Sequence, residues 1–220
     1  GVCFDLDSGK QINAECALIC SGRQANIENL GIENTKVTIT EKGVIQVDEH
    51  FQTTDPGIYA IGDVIGFPSL AAAAMVHGRR AMRHALNLDK EDSGSSVIPM
   101  GIWTVPEIGV VGQTEQELRD KKIPYVVGSA AFKELARSQI DDNREGLLKL
   151  LFSPKTLKIL GVHILGKGAC DLIHLGQTVM ALGGTVESFL EHPVNFPTYS
   201  GAYKVAAING LNTVAEISSA

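Results

Sequence analysis

Residues 53–64 read TTDPGIYAIGDV, and residues 68–74 read PSLAAAA. The pattern predicts a short apolar strand that ends at Gly62-Asp63, then a turn, then a helix that begins with small residues. Because glycine has no side chain, a ligand can come close to the backbone at Gly62. The Asp63 carboxylate only accepts hydrogen bonds, which suits the hydroxyl groups of a polyol. Small residues at a helix start let a flat or phosphorylated ligand approach the positive end of the dipole.

The composition excludes several classes of protein. Among 220 residues, 25 are acidic and 19 are Lys or Arg, a net charge of −6 with no basic stripe, which argues against a nucleic-acid partner. No apolar run is long enough to span a bilayer and no signal peptide precedes the chain, so we expect no membrane partner. Four cysteines without a Cys-x-x-Cys pair fit reduced thiols in a cytoplasmic protein. Since Gly1 lies in a strand-like run, we expect a piece of a longer protein.

The first part of the chain reads as short strands and one long helix. Residues 2–7 and 14–20 are strand-like and are separated by a turn at 8–10, and residues 37–40 and 44–47 resemble a hairpin. We predict a helix over 70–88, with Ser69 as its N-cap. The polar, Gly/Ser-rich segment 90–96 reads as a linker, so a domain boundary is expected there.

The second part reads as an α+β domain with an antiparallel sheet. Thr114 and Glu117 have the spacing of a capping box at a helix start. Strands are predicted at 125–127, 147–152 and 157–165, the last two joined by a turn at 153–156. Helices are predicted over 169–182, ending at Gly183-Gly184, and from about 197. The helix over 169–182 has apolar residues on two faces, which is compatible with a second subunit or with a fully buried core helix.

Two apparent ligand motifs in this part have simpler explanations. Residues 161–168 read GVHILGKG and come within one residue of a phosphate-binding loop, but Gly168 stands where that loop needs a Ser or Thr to bind magnesium. Cys170 and His174 have a spacing that would allow a shared metal, yet no second ligand pair accompanies them. We therefore predict no metal site and no nucleotide hydrolysis.

The length and order of these motifs resemble the pyridine nucleotide-disulphide oxidoreductase family over essentially the whole chain. The resemblance implies that residues 1–26 end an NAD(P)-binding domain, that 27–96 form the second FAD-domain segment with the linker, and that 97–220 form the dimerisation domain. It also implies that Asp63, with Gly62 and the backbone near Leu70, Ala71 and Ala72, holds FAD. Gly22, in the motif Gly22-Arg23, would lie beside the nicotinamide nucleotide, and residues 97–220 would form a homodimer.

The tail of the chain departs from the thiol-reducing members of this family. Phe196 stands where they carry a His base, and Gly201 stands where they carry the Glu that orients it. Aligning His192-Pro193 instead puts Pro197 at the Glu position, so the pair is still broken. The tail resembles the branch that passes hydride between NADPH and NAD through FAD. Gly201, where that branch would show Glu, and His77, where the family often has an acidic or amide residue, are departures. We therefore predict no proton-transfer catalyst in the chain.

Two other functions stay open. One is a disulphide reductase of the dihydrolipoamide dehydrogenase type, and the other is a non-catalytic dimerisation module. No Gly-x-Gly-x-x-Gly phosphate loop occurs in the sequence. We therefore expect the 220-residue chain by itself to be inactive and to bind flavin weakly or not at all.

Overall fold

The computed structural model describes residues 1–88 and 97–219. The chain divides into two compact units, Gly1–Asp89 and Lys90–Ala220. The segment 90–96, which the sequence predicts to be a linker, lies outside the described residues. Among the described residues no helix has both the length and the hydropathy to cross a membrane.

The first unit begins with a two-stranded antiparallel hairpin, β1 (Val2–Asp5) and β2 (Gln11–Ala14). The prediction of a strand over 14–20 is wrong, because β2 ends at Ala14 and residues 15–20 are irregular and exposed. Ala14 lies opposite Val2 in the register. Residues 15–20 therefore continue past this register without a pairing strand among the described residues.

The predicted hairpin at 37–47 keeps its turn but is not a regular ladder. Gly43 N donates to Thr40 O at 2.9 Å, and the pairing is reduced to one isolated bridge between Ile39 and Ile45. Ile45 N donates to Val64 O at 3.0 Å. This segment is therefore tied to the motif around Gly62-Asp63.

The predicted strand before Asp63 is likewise a single bridge, between Gln52 and Tyr59. Asp63 lies in a 3₁₀ turn, Gly62–Ile65, and not at the end of a strand. The helix that follows is α1 (Ala71–Ala85), three residues shorter at its C-terminal end than predicted and starting one residue later. Ser69 is not its N-cap, because the Ser69 hydroxyl donates to Gly66 O at 3.3 Å and Leu70 occupies the N-cap position.

The second unit is a five-stranded antiparallel sheet with helices, in the strand order β3-β4-β7-β6-β5. The strands are β3 (Met100–Ile102), β4 (Ile108–Gly112), β5 (Val126–Ala131), β6 (Gly146–Phe152) and β7 (Ile159–Gly166). The helices are α2 (Glu115–Asp120), α3 (Ala136–Ile140), α4 (Ala169–Ala181), α5 (Ser188–Glu191) and α6 (Gly201–Ser219). The fold is thus mixed α/β with an antiparallel sheet.

Several predicted elements of this unit are confirmed. Thr114 Oγ1 accepts from Glu117 N at 3.2 Å and a Glu117 carboxylate oxygen accepts from Thr114 N at 2.7 Å, which is the capping box. Strands β6 and β7 pair as the predicted antiparallel hairpin. The final helix starts at Gly201 and not near Pro197, because residues before it form turns, one of them closed by Thr198 Oγ1 donating to Asn195 O.

The core of the second unit lies between one face of the sheet and helices α4 and α6. Its fully buried side chains alternate along the strands, as expected for a sheet covered on that face. They include Leu148, Leu150, Phe152, Val162 and Ile164. In α4, Ile173 is buried against this core, whereas Leu182, the residue that directly follows α4, is 82% exposed.

One buried hydroxyl joins α6 to α4. Tyr203 is 1% exposed, and its hydroxyl donates to Leu172 O at 2.8 Å and accepts from Gly176 N at 3.1 Å. Leu172 and Gly176 are four residues apart, so the Tyr203 hydroxyl lies in the normal hydrogen-bond ladder of α4. A Cβ at Gly176 would lie 2.9 Å from that hydroxyl, which explains the glycine. Burial raises the pKa of Tyr203.

Candidate functional site

The candidate flavin site in the first unit is built by the 3₁₀ turn Gly62–Ile65 and the start of α1. Gly62 is buried and has φ 72°, a backbone conformation that favours glycine. A Cβ at Gly62 would come within 3.1 Å of Ala74 Cβ. A side chain at residue 62 would therefore crowd α1, so the close approach of the turn favours glycine there.

The Asp63 carboxylate is accessible and is paired with an arginine. Arg23 Nη2 lies 3.0 Å from Asp63 Oδ2, and the two side chains are 77% and 40% exposed. Sequence reasoning missed this ion pair, although Arg23 belongs to the quoted Gly22-Arg23 motif. The contact shows that the Gly22-Arg23 and Gly62-Asp63 motifs meet within one unit.

The predicted backbone contributors lie at the start of α1. Leu70 is the N-cap residue and is half-buried, whereas Ala71 and Ala72 are exposed in the first turn. Within residues 1–88 and 97–219, no side chain caps this helix. The amide groups of its first turn therefore point toward a surface formed by small residues, which is compatible with an anionic or polar ligand.

Gly22 is exposed and has φ 130°, and a Cβ there would meet none of the described atoms within 4 Å. The position is thus open to the close approach of a ligand. The structure places Gly22 next to Arg23, the residue that contacts Asp63.

The tail segment of the second unit forms a groove with Phe196 at its rim. Phe196 is 86% exposed. The groove has a volume of about 660 Å³ and is lined by α3, α5, α6 and the segment between α5 and α6. Its ionisable lining residues are Glu134, Arg137, Glu191, His192 and Lys204.

The imidazole of His192 lines this groove at a different position from Phe196. His192 Nδ1 lies 3.0 Å from Ser188 O, and because a carbonyl only accepts, this nitrogen is the donor. His192 therefore closes the C-terminal end of α5. At Gly201, a Cβ would meet none of the described atoms within 4 Å, so packing does not require a glycine there.

A charged cluster around Asp141 contacts the end of the segment that carries Phe196. Lys167 Nζ lies 3.1 Å from Asp141 Oδ2, and Arg137 Nη2 lies 3.0 Å from Asp141 Oδ1. The Tyr199 hydroxyl donates to Asp141 Oδ2 at 3.3 Å. The hydrogen bond from Lys167 lowers the pKa of Asp141. This cluster fixes Tyr199, which ends the segment that carries Phe196.

The two apparent ligand motifs of the sequence lie in ordinary secondary structure. Residues 161–166 belong to β7, and the ammonium group of Lys167 pairs with Asp141. Cys170 is buried and its thiol contacts Ile108 O at 3.6 Å, whereas the exposed His174 contacts Gln177 at 2.9 Å. In the part of the chain that the structure describes, no group of three or more His, Cys, Asp or Glu side chains is placed to hold a metal ion.

The chain is similar to known proteins along nearly all of its length. Residues 98–207 match the family model "pyridine nucleotide-disulphide oxidoreductase, dimerisation domain", and residues 3–78 match "pyridine nucleotide-disulphide oxidoreductase". The soluble pyridine nucleotide transhydrogenase of Marinobacter nauticus is 46% identical over 217 residues, which is 97% of this chain and 47% of that protein. The soluble pyridine nucleotide transhydrogenase of Pectobacterium atrosepticum is 47% identical over 215 residues, 96% of this chain and 46% of that protein.

Solved structures agree on the fold. LpdA from Mycobacterium tuberculosis has a TM-score of 0.81 at 25% identity, over 94% of this chain and 45% of that chain. The HOCl-induced flavoprotein disulfide reductase RclA from Escherichia coli has a TM-score of 0.82 at 24% identity, over 90% of this chain and 46% of that chain. The chain spans about half the length of the curated relatives it matches. With both family models matched in sequence order, the chain belongs to the pyridine nucleotide-disulphide oxidoreductase family.

Proposed function

We propose that the whole protein that contains this chain is a flavoprotein that transfers hydride between NADPH and NAD. The observation that carries the proposal is Phe196, which occupies the position of the thiol base in the tail. Gly201 occupies the position of its carboxylate partner, where the hydride-transferring branch would show Glu as well. A phenyl ring and a glycine cannot exchange protons. Since packing leaves room for a side chain at Gly201, the missing carboxylate is a property of this sequence and not a steric necessity.

The residues of the first unit fit one end of an FAD molecule. The accessible Asp63 carboxylate would accept hydrogen bonds from ribityl hydroxyls, and the first turn of α1 at Ala71 and Ala72 would face a polar part of the ligand. FAD would supply the hydride chemistry when bound. Gly22 would allow the nicotinamide nucleotide to come close to the backbone.

The second unit would hold two copies of the protein together. Its matched dimerisation domain supports a homodimer through residues 97–220. Exposed apolar side chains on and near α4 and α6 would be covered in such a dimer. They include Leu182, Phe196, Val205 and Ile208. We also propose a cytoplasmic location, in which the four unpaired cysteines would stay reduced.

The activity is tested by supplying the whole protein with NADPH and either thio-NAD or lipoamide. We expect rapid reduction of thio-NAD and no turnover of lipoamide, because the tail carries no thiol base. The second candidate, a disulphide reductase, is favoured by His192, which lines the groove beside Phe196. In that case lipoamide would be turned over and a His192→Ala variant would lose that activity, which would refute the transhydrogenase proposal.

The 220-residue chain alone is expected to retain little or no flavin. The sequence holds no Gly-x-Gly-x-x-Gly loop for the pyrophosphate, and Asp63 is paired with Arg23. The absorbance spectrum of the purified chain, before and after incubation with excess FAD and desalting, measures retention. A yellow chain with a flavin band after desalting would contradict this expectation.

A further inference from the structure

One face of α1 packs against the segment 48–60 through rings and one guanidinium group. The α1 side chains are His77, Arg80 and His84, which share a face at a spacing of three and four residues. His77 stacks on Phe51 with ring centroids 4.4 Å apart, and Arg80 Cζ lies 5.4 Å from the centroid of the same phenyl ring. His84 stacks on His50 at 4.2 Å. We call this contact the histidine clasp.

His77 is the buried centre of the histidine clasp. It is 6% exposed, and its Nδ1 atom has no hydrogen-bond partner among the described residues. Burial, and secondarily the Arg80 charge, lower the pKa of His77 below its ordinary value of 6.5. A proton on His77 would place a second cation against the Phe51 ring that Arg80 already contacts. The folded first unit therefore favours neutral His77.

The carboxylates of Asp48, Glu49 and Asp63, on the segment and the turn that follow one another along this face, each have another partner. The Asp48 carboxylate accepts two backbone amides of its own loop, at 2.8 and 2.9 Å. Glu49 lies 3.6 Å from the His50 ring, and Asp63 pairs with Arg23. Each of these three carboxylates already has a partner, so among them none is a free counterion for a protonated His77. The other titratable or charged groups on these two elements are Asp55, Tyr59, Arg79, Arg83 and His84.

The segment held by the clasp leads directly to the Gly62–Ile65 turn. Phe51 has φ 66°, a left-handed conformation that is unfavourable for a bulky residue and is maintained by its packing. Phe51 O accepts from Ala60 N at 3.1 Å. Loss of the ring stack would therefore release Phe51, then Ala60, and then the turn that begins at Gly62.

We propose that the histidine clasp is an acid-sensitive device that releases the segment 48–60 from α1 when His77 takes up a proton. The inference goes beyond hydride transfer and does not depend on it. Because His77 holds its proton less tightly in the folded unit, the clasp is fully stabilising above about pH 6.5 and loses stability as the pH falls from there toward the folded pKa.

Amide hydrogen exchange of the 220-residue chain tests the clasp between about pH 8 and pH 5.5. After correction for intrinsic rates, we expect a several-fold loss of protection in residues 48–60 and in α1 as the pH falls. A His77→Gln variant should lack this response, because an amide does not titrate there. His174→Gln, which changes an exposed histidine of α4, should respond as the unmodified chain does.

A second measurement follows His77 itself and does not depend on the fold of a variant. The NMR titration of the unmodified chain should give His77 a pKa below 6.5, and Arg80→Met should raise it. Titration at or above 6.5 would overturn the proposal. Equal pH responses of the unmodified chain and His77→Gln, or a protection that does not change with pH in the unmodified chain, would overturn it as well.

Discussion

Replacing Tyr203 with Phe should lower the free energy of unfolding of the second unit by about 2 kcal/mol. The Tyr203 hydroxyl donates to Leu172 O and accepts from Gly176 N inside the hydrogen-bond ladder of α4. Removing it leaves one buried carbonyl and one buried amide without their partner, and each such group costs about 1–3 kcal/mol unless the helix closes up. Denaturant unfolding, followed by circular dichroism and by the fluorescence of Trp103, the single tryptophan, measures the loss.

Tyr125→Phe is the matched control. The Tyr125 hydroxyl donates to Glu115 at 3.1 Å and accepts from Arg119 at 3.1 Å, both near the surface, so we expect a loss below about 1 kcal/mol. If Tyr203→Phe is no more destabilising than Tyr125→Phe, α4 has restored its own ladder and the Tyr203 hydroxyl is not needed for stability.

Replacing Asp63 with Ala in the whole protein should weaken FAD binding by about 10-fold to 100-fold. This is the loss expected when a charged acceptor of one hydrogen bond, worth about 1.5–3 kcal/mol, is removed. The dissociation constant for FAD, measured by fluorescence titration of the flavin-free protein, is the readout. Far-ultraviolet circular dichroism separates loss of the ligand from loss of the fold.

Two further variants serve as controls for this experiment. Glu41→Ala removes an exposed acid of the same unit and should leave the affinity unchanged. Arg23→Met removes the ion-pair partner of Asp63 but keeps the carboxylate, so it should weaken FAD binding less than Asp63→Ala does. If the two losses are equal, Asp63 acts only by holding Arg23 and is not a ligand of the flavin.

Local sequence patterns predicted much of the second unit. The capping box at Thr114 and Glu117, the hairpin of β6 and β7, and the helix α4 all depend on residues close to one another in the chain. Their hydrogen bonds and turns are therefore encoded by spacing and residue type. The helix predicted over 70–88 agrees closely with α1 for the same reason. Its predicted N-cap, Ser69, is wrong because the Ser69 hydroxyl donates to Gly66 O in the preceding turn.

Strand predictions in the first unit were weaker, because a strand exists only where a partner pairs with it. Residues 15–20 have the composition of a strand, yet they are irregular and exposed, and none of the described strands pairs with them. Asp63 was recognised as a candidate ligand, but the 3₁₀ turn that carries it depends on the close approach of Ala74, which lies in α1. Burial and pairing of this kind are decided by residues far apart in the chain.

The sequence by itself determined the family and the order of its segments, because these are properties of residue type and spacing, and it predicts the loss of a thiol base at Phe196. Only the tertiary structure decided that Arg23 pairs with Asp63, that Tyr203 enters the ladder of α4, and that His77 is buried against Phe51. Each of these contacts joins residues that are 26 to 40 positions apart, so no local sequence periodicity predicts them. They arise because packing brings distant polar groups together, where a buried donor or acceptor must find a partner or lose stability.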